Sequence, residues 1–333
     1  MSLPALTFRA AAAFLLWHAL APGSHVFAQA PAPGTSIFGT RKFTEYIPGS
    51  LPLVIAAPHG GRLKPEDIPD RTQGVTAMDM NTQELARTLA EVIQAETGHR
   101  PHLVLCLLHR SKLDANRDLP EAAEGHEVAA QAWHEHHGFI EQACATAVQC
   151  SGFAFFIDLH GHSHPDARVE LGYLHGAESL ALDDALLDQP EYVQASSLRW
   201  IVEQRGIRHS QLLRGPHSLG ALLEQEGFPA TPSPAKPVPN LPFFRGGYTV
   251  AHHCRAEKNI TGLQIEANRP QLRDTPENRL RFATALHRSL EQFFQVNLGR
   301  KLSPGTPAAP SSAPQSAGNA APSQRSETAP AGE

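Results

Sequence analysis

The chain has 333 residues, of which 41% are hydrophobic and 18% charged, with a formal net charge of -5. The hydrophobic content is that of a globular protein and excludes a chain disordered throughout. Without an excess of basic side chains to neutralise phosphates, nucleic acid is not an expected partner. The unusual number is 19 histidines, because histidine is the commonest metal ligand.

The amino terminus has the pattern of a secretory signal peptide. Arg9 precedes an apolar run at residues 10–21, and small residues follow at 28 and 30, in the A-x-A spacing that a signal peptidase cuts. The run is too short to span a bilayer comfortably. We therefore predict a signal peptide at 1–30, a secreted or periplasmic protein, and no membrane span once the signal is removed.

The carboxyl terminus has a composition typical of disorder. Residues 303–333 are rich in alanine, proline and serine, and contain no leucine, isoleucine, valine or aromatic residue. Such a segment has nothing apolar to bury against the entropy lost on ordering. We predict a disordered tail at 303–333, and a single domain at 31–302.

The elements of this domain alternate along the chain. Short apolar runs predict strands at 53–57, 102–108, 153–157 and 263–266, and helical patterns predict helices at 82–96, 122–148, 194–204, 219–225 and 277–294. Residues 229–242 hold six prolines and are expected to form a loop. This order predicts an α/β fold with a mixed, mostly parallel sheet flanked by helices. Ligands of such folds bind at the carboxyl ends of the strands.

Two histidines follow predicted strands and are candidate metal ligands. His59 lies in Pro-His-Gly-Gly, and His160 lies in Asp-Leu-His-Gly-His. A catalytic zinc takes three protein ligands and keeps one position open. Asp79 or Glu84, before or on the first predicted helix, could supply the third. Asp158 shares a face with His160 and could support its ring.

A carboxylate at the end of the last predicted strand is a candidate general base. Glu266 follows an apolar run, and a buried acid is costly unless it is paired or functional. It could take a proton from water and pass it to a leaving amine. The alternative is a structural ion pair with a neighbour such as Arg269.

Other polar patterns are weaker. Asn116 and Arg117 could bind a substrate carboxylate. His134 and His137 share a helix face and could bind a metal, although a solvated face is the expected reading. Among four cysteines, Cys144 and Cys150 are a plausible local disulfide, but three complete pairings are possible.

Taken in order, the motifs resemble the N-formylglutamate amidohydrolase family over roughly residues 50–295. The matching segments are Pro58–Gly61, Asp79–Leu85, Arg110 with Asp114–Arg117, Asp158–His162, Phe244–Tyr248 and Gln264–Glu266. The resemblance implies a phosphorylase/hydrolase-like fold, one zinc ion, and hydrolysis of an amide beside a carboxylate.

Carried over by position, the resemblance implies that His59, Asp79 and His160 bind zinc and that Glu266 is the general base. It implies that Arg117, with Asn116, binds the substrate carboxylate. Family enzymes of histidine degradation usually lack a signal peptide, so a different substrate is expected here.

The segment at 214–220 is predicted to form a lid or specificity wall, with Arg214 as a second anion contact. Expected substrates are N-acyl amino acids, peptides, cell-wall peptides or poly-γ-glutamate. A non-enzymatic exported zinc-binding protein is one alternative, and a solute- or wall-binding module without catalysis is another.

Overall fold

A computed structural model describes residues 32–305 of the chain. The predicted signal peptide and residues 306–333 of the predicted tail lie outside the described residues. Residues 303–305 are still in place against the domain, since the backbone N–H of Gly305 donates to Oγ of Ser151 at 3.1 Å. No helix within 32–305 is long and apolar enough to cross a membrane.

One mixed sheet of eight strands forms the centre of the described domain, in the order β1-β2-β4-β3-β5-β8-β6-β7. The four central strands β4, β3, β5 and β8 are parallel, whereas β1, β2 and β6 pair with their inner neighbours antiparallel. The strands are β1 (Ile37–Phe38), β2 (Thr44–Ile47), β3 (Leu53–Ala57), β4 (His102–Cys106), β5 (Ala154–His162), β6 (Val169–Gly172), β7 (Ala230–Thr231) and β8 (Ile260–Asn268). The predicted α/β class with a mixed, mostly parallel sheet is confirmed.

Helices cover both faces of this sheet. They are α1 (Thr82–Thr97), α2 (Leu119–Ala123), α3 (Glu127–Ser151), α4 (Ala177–Leu180), α5 (Asp184–Leu187), α6 (Pro190–Gln194), α7 (Arg199–Arg205), α8 (His209–Arg214), α9 (Leu219–Gln225), α10 (Tyr248–His253) and α11 (Pro276–Phe293). Alternate residues of β3 enter opposite cores: Leu53 and Ile55 lie in the core that includes α1 and α11, and Val54 and Ala56 in the core that includes α3. Burial on both faces explains the continuous apolar strands.

Two sequence predictions about these elements are wrong. The helix predicted at 122–148 is two helices, because Glu124 and Gly125 both take positive φ angles of 46° and 79° and end α2. The disulfide between Cys144 and Cys150 does not form, and all four cysteines are free thiols. Both of these residues lie on α3, where six residues of helix rise about 9 Å, too far for a disulfide.

The strands β5 and β8 are longer than predicted, and this affects the candidate residues. Each has nine residues, so His160 lies within β5 rather than after it, and Glu266 lies inside β8 rather than at its end. The two residues are partners in the parallel register of β5 and β8. Partnered residues on neighbouring strands lie side by side on one face of a sheet, and the sheet therefore brings these two side chains together.

Candidate active site

Three side chains from distant parts of the chain converge beyond the carboxyl end of β3. His59 follows β3, Asp79 precedes α1, and His160 lies near the end of β5. One ligand atom from each of the three lies within 4.8 Å of the other two. All three residues are buried. The structure thus brings together the three residues that the sequence predicted as metal ligands.

Local backbone contacts hold the loop after β3 in place. The backbone N–H of Asp79 donates to the carbonyl oxygen of His59 at 3.0 Å, which fixes two of the three residues relative to each other. A Cβ at Gly61 would lie 2.3 Å from the carbonyl oxygen of Leu108. Only glycine therefore lets this loop lie against the chain beyond β4.

One carboxylate oxygen of Asp79 faces both histidines. Its Oδ2 lies 3.4 Å from Nδ1 of His59 and 3.2 Å from Nδ1 of His160, and the two imidazole rings are 4.6 Å apart. The other oxygen, Oδ1, accepts from Arg110 at 3.4 Å. Each of the three residues offers one ligand atom, and these atoms lie within 4.8 Å of one another, which is close enough for one ion to be shared.

The outer nitrogen of each histidine meets a second, fully buried carboxylate. Nε2 of His59 is hydrogen-bonded to Oδ1 of Asp114 at 2.6 Å. Nε2 of His160 lies 2.8 Å from Oδ2 of Asp158, without the alignment of a hydrogen bond. Metal-binding histidines commonly give their other nitrogen to a carboxylate, which sets the tautomer and raises the basicity of the ligand.

The charges of the cluster suit a cation at its centre. Burial acts to raise the pKa of Asp79, but His59 and His160 hold that pKa well below its usual value. Burial likewise acts to lower the pKa of His160, but Asp158 and Asp79 raise it well above the usual value. Two imidazole nitrogens and a carboxylate oxygen are donors that zinc accepts, so the residues fit the predicted metal.

Glu266 lies beside His160 with an unused carboxylate oxygen. Its Oε2 is buried and has no hydrogen-bond partner within residues 32–305. Burial raises the pKa of Glu266 well above its usual value, and the negative charge of Asp79 adds to this while His160 opposes it. The alternative of an ion pair with Arg269 is not present, and Glu266 remains available for proton transfer.

These residues line one cavity of about 640 Å³. Besides His59, Asp79, His160 and Glu266, its walls include the segment 75–80, the residues 160–164 and the loop before α10. The volume is in the range of pockets for small molecules. The candidate metal ligands and the candidate base therefore face a space that a substrate can enter.

Several other predicted residues are engaged elsewhere. Glu84 pairs with Arg62 at 2.9 Å and is not a member of the cluster, so the structure brings Asp79 rather than Glu84 to the histidines. Arg214 binds Asp184 at 2.7 Å as well as two backbone carbonyls, and it does not line the cavity. The geometry gives no support to Arg214 as an anion contact.

Asn116 and Arg117 do line the cavity, but both have protein partners. Oδ1 of Asn116 accepts the backbone N–H of Thr249 at 2.8 Å, and its Nδ2 lies 3.3 Å from Nε2 of His160. Nε of Arg117 donates to Glu121 at 2.9 Å. Asn116 thus ties α10 to the cluster.

The histidines of α3 do not form a solvated face, contrary to prediction. His134 is exposed, whereas His136 and His137 are buried. His137 is hydrogen-bonded to His253 of α10 at 2.8 Å rather than paired with His134. His136 and His137 are buried because α10 packs against this side of α3. The sequence periodicity does not reveal this tertiary contact.

The sequence did not reveal that Asp114 is hydrogen-bonded to His59, or that Arg110 holds Asp114 in place. Arg110 donates through Nε to Oδ2 of Asp114 at 3.0 Å. In the sequence, both residues stand out only as parts of the family resemblance. A weak signal was present, since the two are four residues apart with opposite charges. Nothing in that spacing indicates that Asp114 reaches His59.

No protein-family model matches this chain, and no curated protein matches it. Among solved structures, it is similar to an N-formylglutamate amidohydrolase from Ralstonia eutropha JMP134, with 16% identity, a TM-score of 0.47, and coverage of 77% of this chain and 99% of that one. It is also similar to a gene product of Agrobacterium tumefaciens, with 14% identity, a TM-score of 0.45, and coverage of 78% and 97%. The first of these carries the family name that the sequence motifs resemble. At such low identity, the activity of this chain has to be inferred from its own side chains.

Proposed function

We propose that the protein is an exported, zinc-dependent amidohydrolase that cleaves an amide bond beside a carboxylate. The observation that carries the proposal is the convergence of His59, Asp79 and His160 within 4.8 Å, next to the unpartnered buried carboxylate of Glu266. Export rests on the signal-peptide pattern at 1–30.

In this proposal, His59, Asp79 and His160 hold the metal, which supplies Lewis-acid activation of water and of the amide carbonyl. Asp114 keeps the His59 ring oriented through its 2.6 Å hydrogen bond. With Nε2 engaged by Asp114, Nδ1 of His59 is the ring nitrogen that faces Asp79 and the proposed metal.

Glu266 moves the proton. Its carboxylate accepts a proton from the attacking water as the new carbon–oxygen bond forms. It then donates that proton to the nitrogen as the carbon–nitrogen bond breaks, so one residue acts first as base and then as acid. The products are a carboxylic acid and an amine.

The proposal is tested with the full chain, stripped of metal by a chelator and reloaded with zinc. Release of free amine is followed with N-formyl-L-glutamate, a series of N-acyl amino acids and γ-glutamyl peptides. We expect hydrolysis that is lost on stripping and restored by zinc. A zinc-loaded protein that hydrolyses no compound of these classes would instead be the non-enzymatic zinc-binding protein.

Glu266→Gln is the decisive variant. It should bind zinc as the native chain does and lose roughly 10²–10⁴-fold in turnover, the usual contribution of a general acid–base group. Glu84→Gln is the matched control, because Glu84 pairs with Arg62 outside the cavity lining, and it should keep full turnover. Normal turnover by Glu266→Gln removes Glu266 from the mechanism.

A further inference from the structure

The loop that joins β7 to α10 forms one wall of the cavity. Residues 243–247 of this loop line the cavity together with Glu266 and His160. The loop therefore meets any substrate whose amide bond lies at the proposed metal centre.

A buried ion pair fixes the backbone of this loop. Arg168 and Glu170 are both buried, with Nη2 and Oε1 3.0 Å apart. Arg168 donates to the carbonyl oxygens of Asn240 and Pro242 at 2.8 and 3.0 Å. Oε2 of Glu170 accepts the backbone N–H of Phe244 at 2.8 Å. Oε1 of Glu170 also contacts Nδ1 of His164 at 2.8 Å. The bonds from the pair to the loop backbone hold residues 240–244 against the sheet.

The next part of the loop is also pinned to β6. The carbonyl oxygen of Arg245 accepts the backbone N–H of Leu174 at 2.7 Å. A Cβ at Gly172 would lie 2.4 Å from the backbone nitrogen of Gly246, so the strand carries glycine where the loop touches it. The main chain at 244–246 is thus pre-organised by several contacts.

The side chains of Phe244 and Arg245, which this fixed backbone carries, are exposed to solvent. Phe244 is 45% exposed, although its ring stacks on His164 at 4.8 Å. The Arg245 side chain is exposed and forms no side-chain hydrogen bond or ion pair with any residue in 32–305. A rigid loop with an open aromatic ring and an open guanidinium is suited to binding a ligand that has an apolar and an anionic part.

Other exposed apolar side chains lie in the same cavity wall. Val75 is 51% exposed and Met80 is 38% exposed, and both line the cavity. They belong to the segment that also carries Asp79. Apolar surface is therefore present on two segments around one cavity, as expected where an apolar group is taken out of water.

Arg245 is a better candidate than Arg117 for the anionic group. Arg117 already donates to Glu121 and to the carbonyl oxygen of Asn116 at 2.8 Å, so a substrate would have to compete for it. Arg245 has no such partner to give up. An available guanidinium can bind a carboxylate with two parallel hydrogen bonds.

We infer that the substrate is an N-acyl amino acid with an apolar side chain, whose carboxylate binds Arg245 and whose side chain packs on Phe244. The inference rests on the proposed function and narrows its substrate class. Arg269 also lines the cavity and its side chain contacts Sδ of Met80 at 3.5 Å, so N-formyl-L-glutamate is included in the test as the compound that carries a second carboxylate.

The test compares kcat/KM of the zinc-loaded full chain for N-formyl-L-leucine, N-formylglycine, N-formyl-L-leucinamide and N-formyl-L-glutamate. We expect the leucine compound to exceed the glycine compound by roughly 10-fold, since a leucine side chain is at least partly buried. It should exceed the amide by roughly 10–100-fold, because the charge-assisted contact is lost. Equal values for leucine and glycine, or preference for the glutamate compound, overturn the inference.

Variants assign the two preferences to residues. Phe244→Ala should remove the preference for leucine over glycine, because kcat/KM for the leucine compound falls toward that for the glycine compound. Arg245→Gln should remove the preference for acid over amide, and Arg117→Gln should reduce it less. Leu241→Ala is the control, because Leu241 is on the same loop and 74% exposed but does not line the cavity. A Phe244→Ala protein with the native preference overturns the inference.

Binding separates this inference from the proposed function. If no compound is hydrolysed, the proposed function fails, and titration calorimetry of the zinc-loaded chain is then decisive. Tighter binding of N-formyl-L-leucine than of N-formylglycine, reduced in Phe244→Ala, supports the inference without turnover. Absent binding or equal binding of the two compounds overturns it.

Discussion

Two of the histidine groups in the described part of the chain differ in what surrounds them. The site cluster consists of His59, His160 and Asp79, with further carboxylates at the outer nitrogens. The histidine stack consists of His136, His137, His252 and His253. In the stack, His137 bonds to His253 at 2.8 Å and to a backbone carbonyl at 3.0 Å. The carboxylate of Glu141, which lies within 4.8 Å of His252 and His253, is exposed.

The electrostatic outcome is opposite in the two groups. Burial lowers the pKa of His136 to about 3 and that of His137 to about 2, so both are neutral. In the site cluster, the acids overcome burial and raise the pKa of His160. Histidine density alone therefore does not mark a cation site. What sets the site cluster apart from the stack is that the carboxylates around its rings are buried, whereas Glu141 beside the stack is exposed.

The largest expected effect is on metal content. His59→Ala should bind no zinc at the site and show no metal-restored turnover, because only two ligands remain. His252→Ala, in the stack, should keep one zinc per chain and native turnover. Zinc content by atomic emission after gel filtration checks both. If His252→Ala loses zinc and His59→Ala retains it, zinc binds at the histidine stack and not at the site cluster.

A smaller effect is expected from the acids behind the histidines. Asp114→Asn should weaken zinc binding about 10–100-fold, the usual cost of losing such support. Asp158→Asn should weaken it less, since the 2.8 Å contact with His160 lacks the alignment of a hydrogen bond. Competition with a chromogenic chelator measures both affinities, and circular dichroism confirms folding. Equal native affinities in the two variants would contradict the role of these acids.

The smallest effect concerns stability in mild acid. The folded pKa of His136, about 3, lies below the ordinary value near 6.5, so unfolding takes up a proton between these values. The contribution of His136 to the free energy of unfolding is fully present above about pH 6.5. It is lost as the pH falls toward 3, by up to about 1.4 kcal/mol per pH unit.

Urea unfolding at pH 7 and pH 5 tests this in the native chain and in His136→Phe. The native chain should lose about 2 kcal/mol more than the variant over that interval, because phenylalanine does not titrate. Equal losses would show that His136 is not buried neutral, and the contrast between the two groups would then be weaker.

The residues that sequence reasoning located best are those next to apolar strands. The runs at 53–57 and 263–266 predicted buried strands, and β3 and β8 are there. His59 and Glu266 could be selected because each polar residue adjoins an apolar run, where burial demands a reason. The same reasoning was wrong for α3, whose histidines were expected to face solvent, because α10 covers them.

The sequence by itself determined the alternation of strands and helices, and hence an α/β sheet with polar residues near the strand ends. These are local properties, since hydrophobic periodicity reports which faces are buried. Only the tertiary structure decided that Asp79 rather than Glu84 meets the histidines, that Asp114 holds His59, and that Arg245 is open where Arg117 is paired. Those facts depend on distances between segments far apart in the chain, which are set by strand register and loop packing and have no counterpart in local spacing.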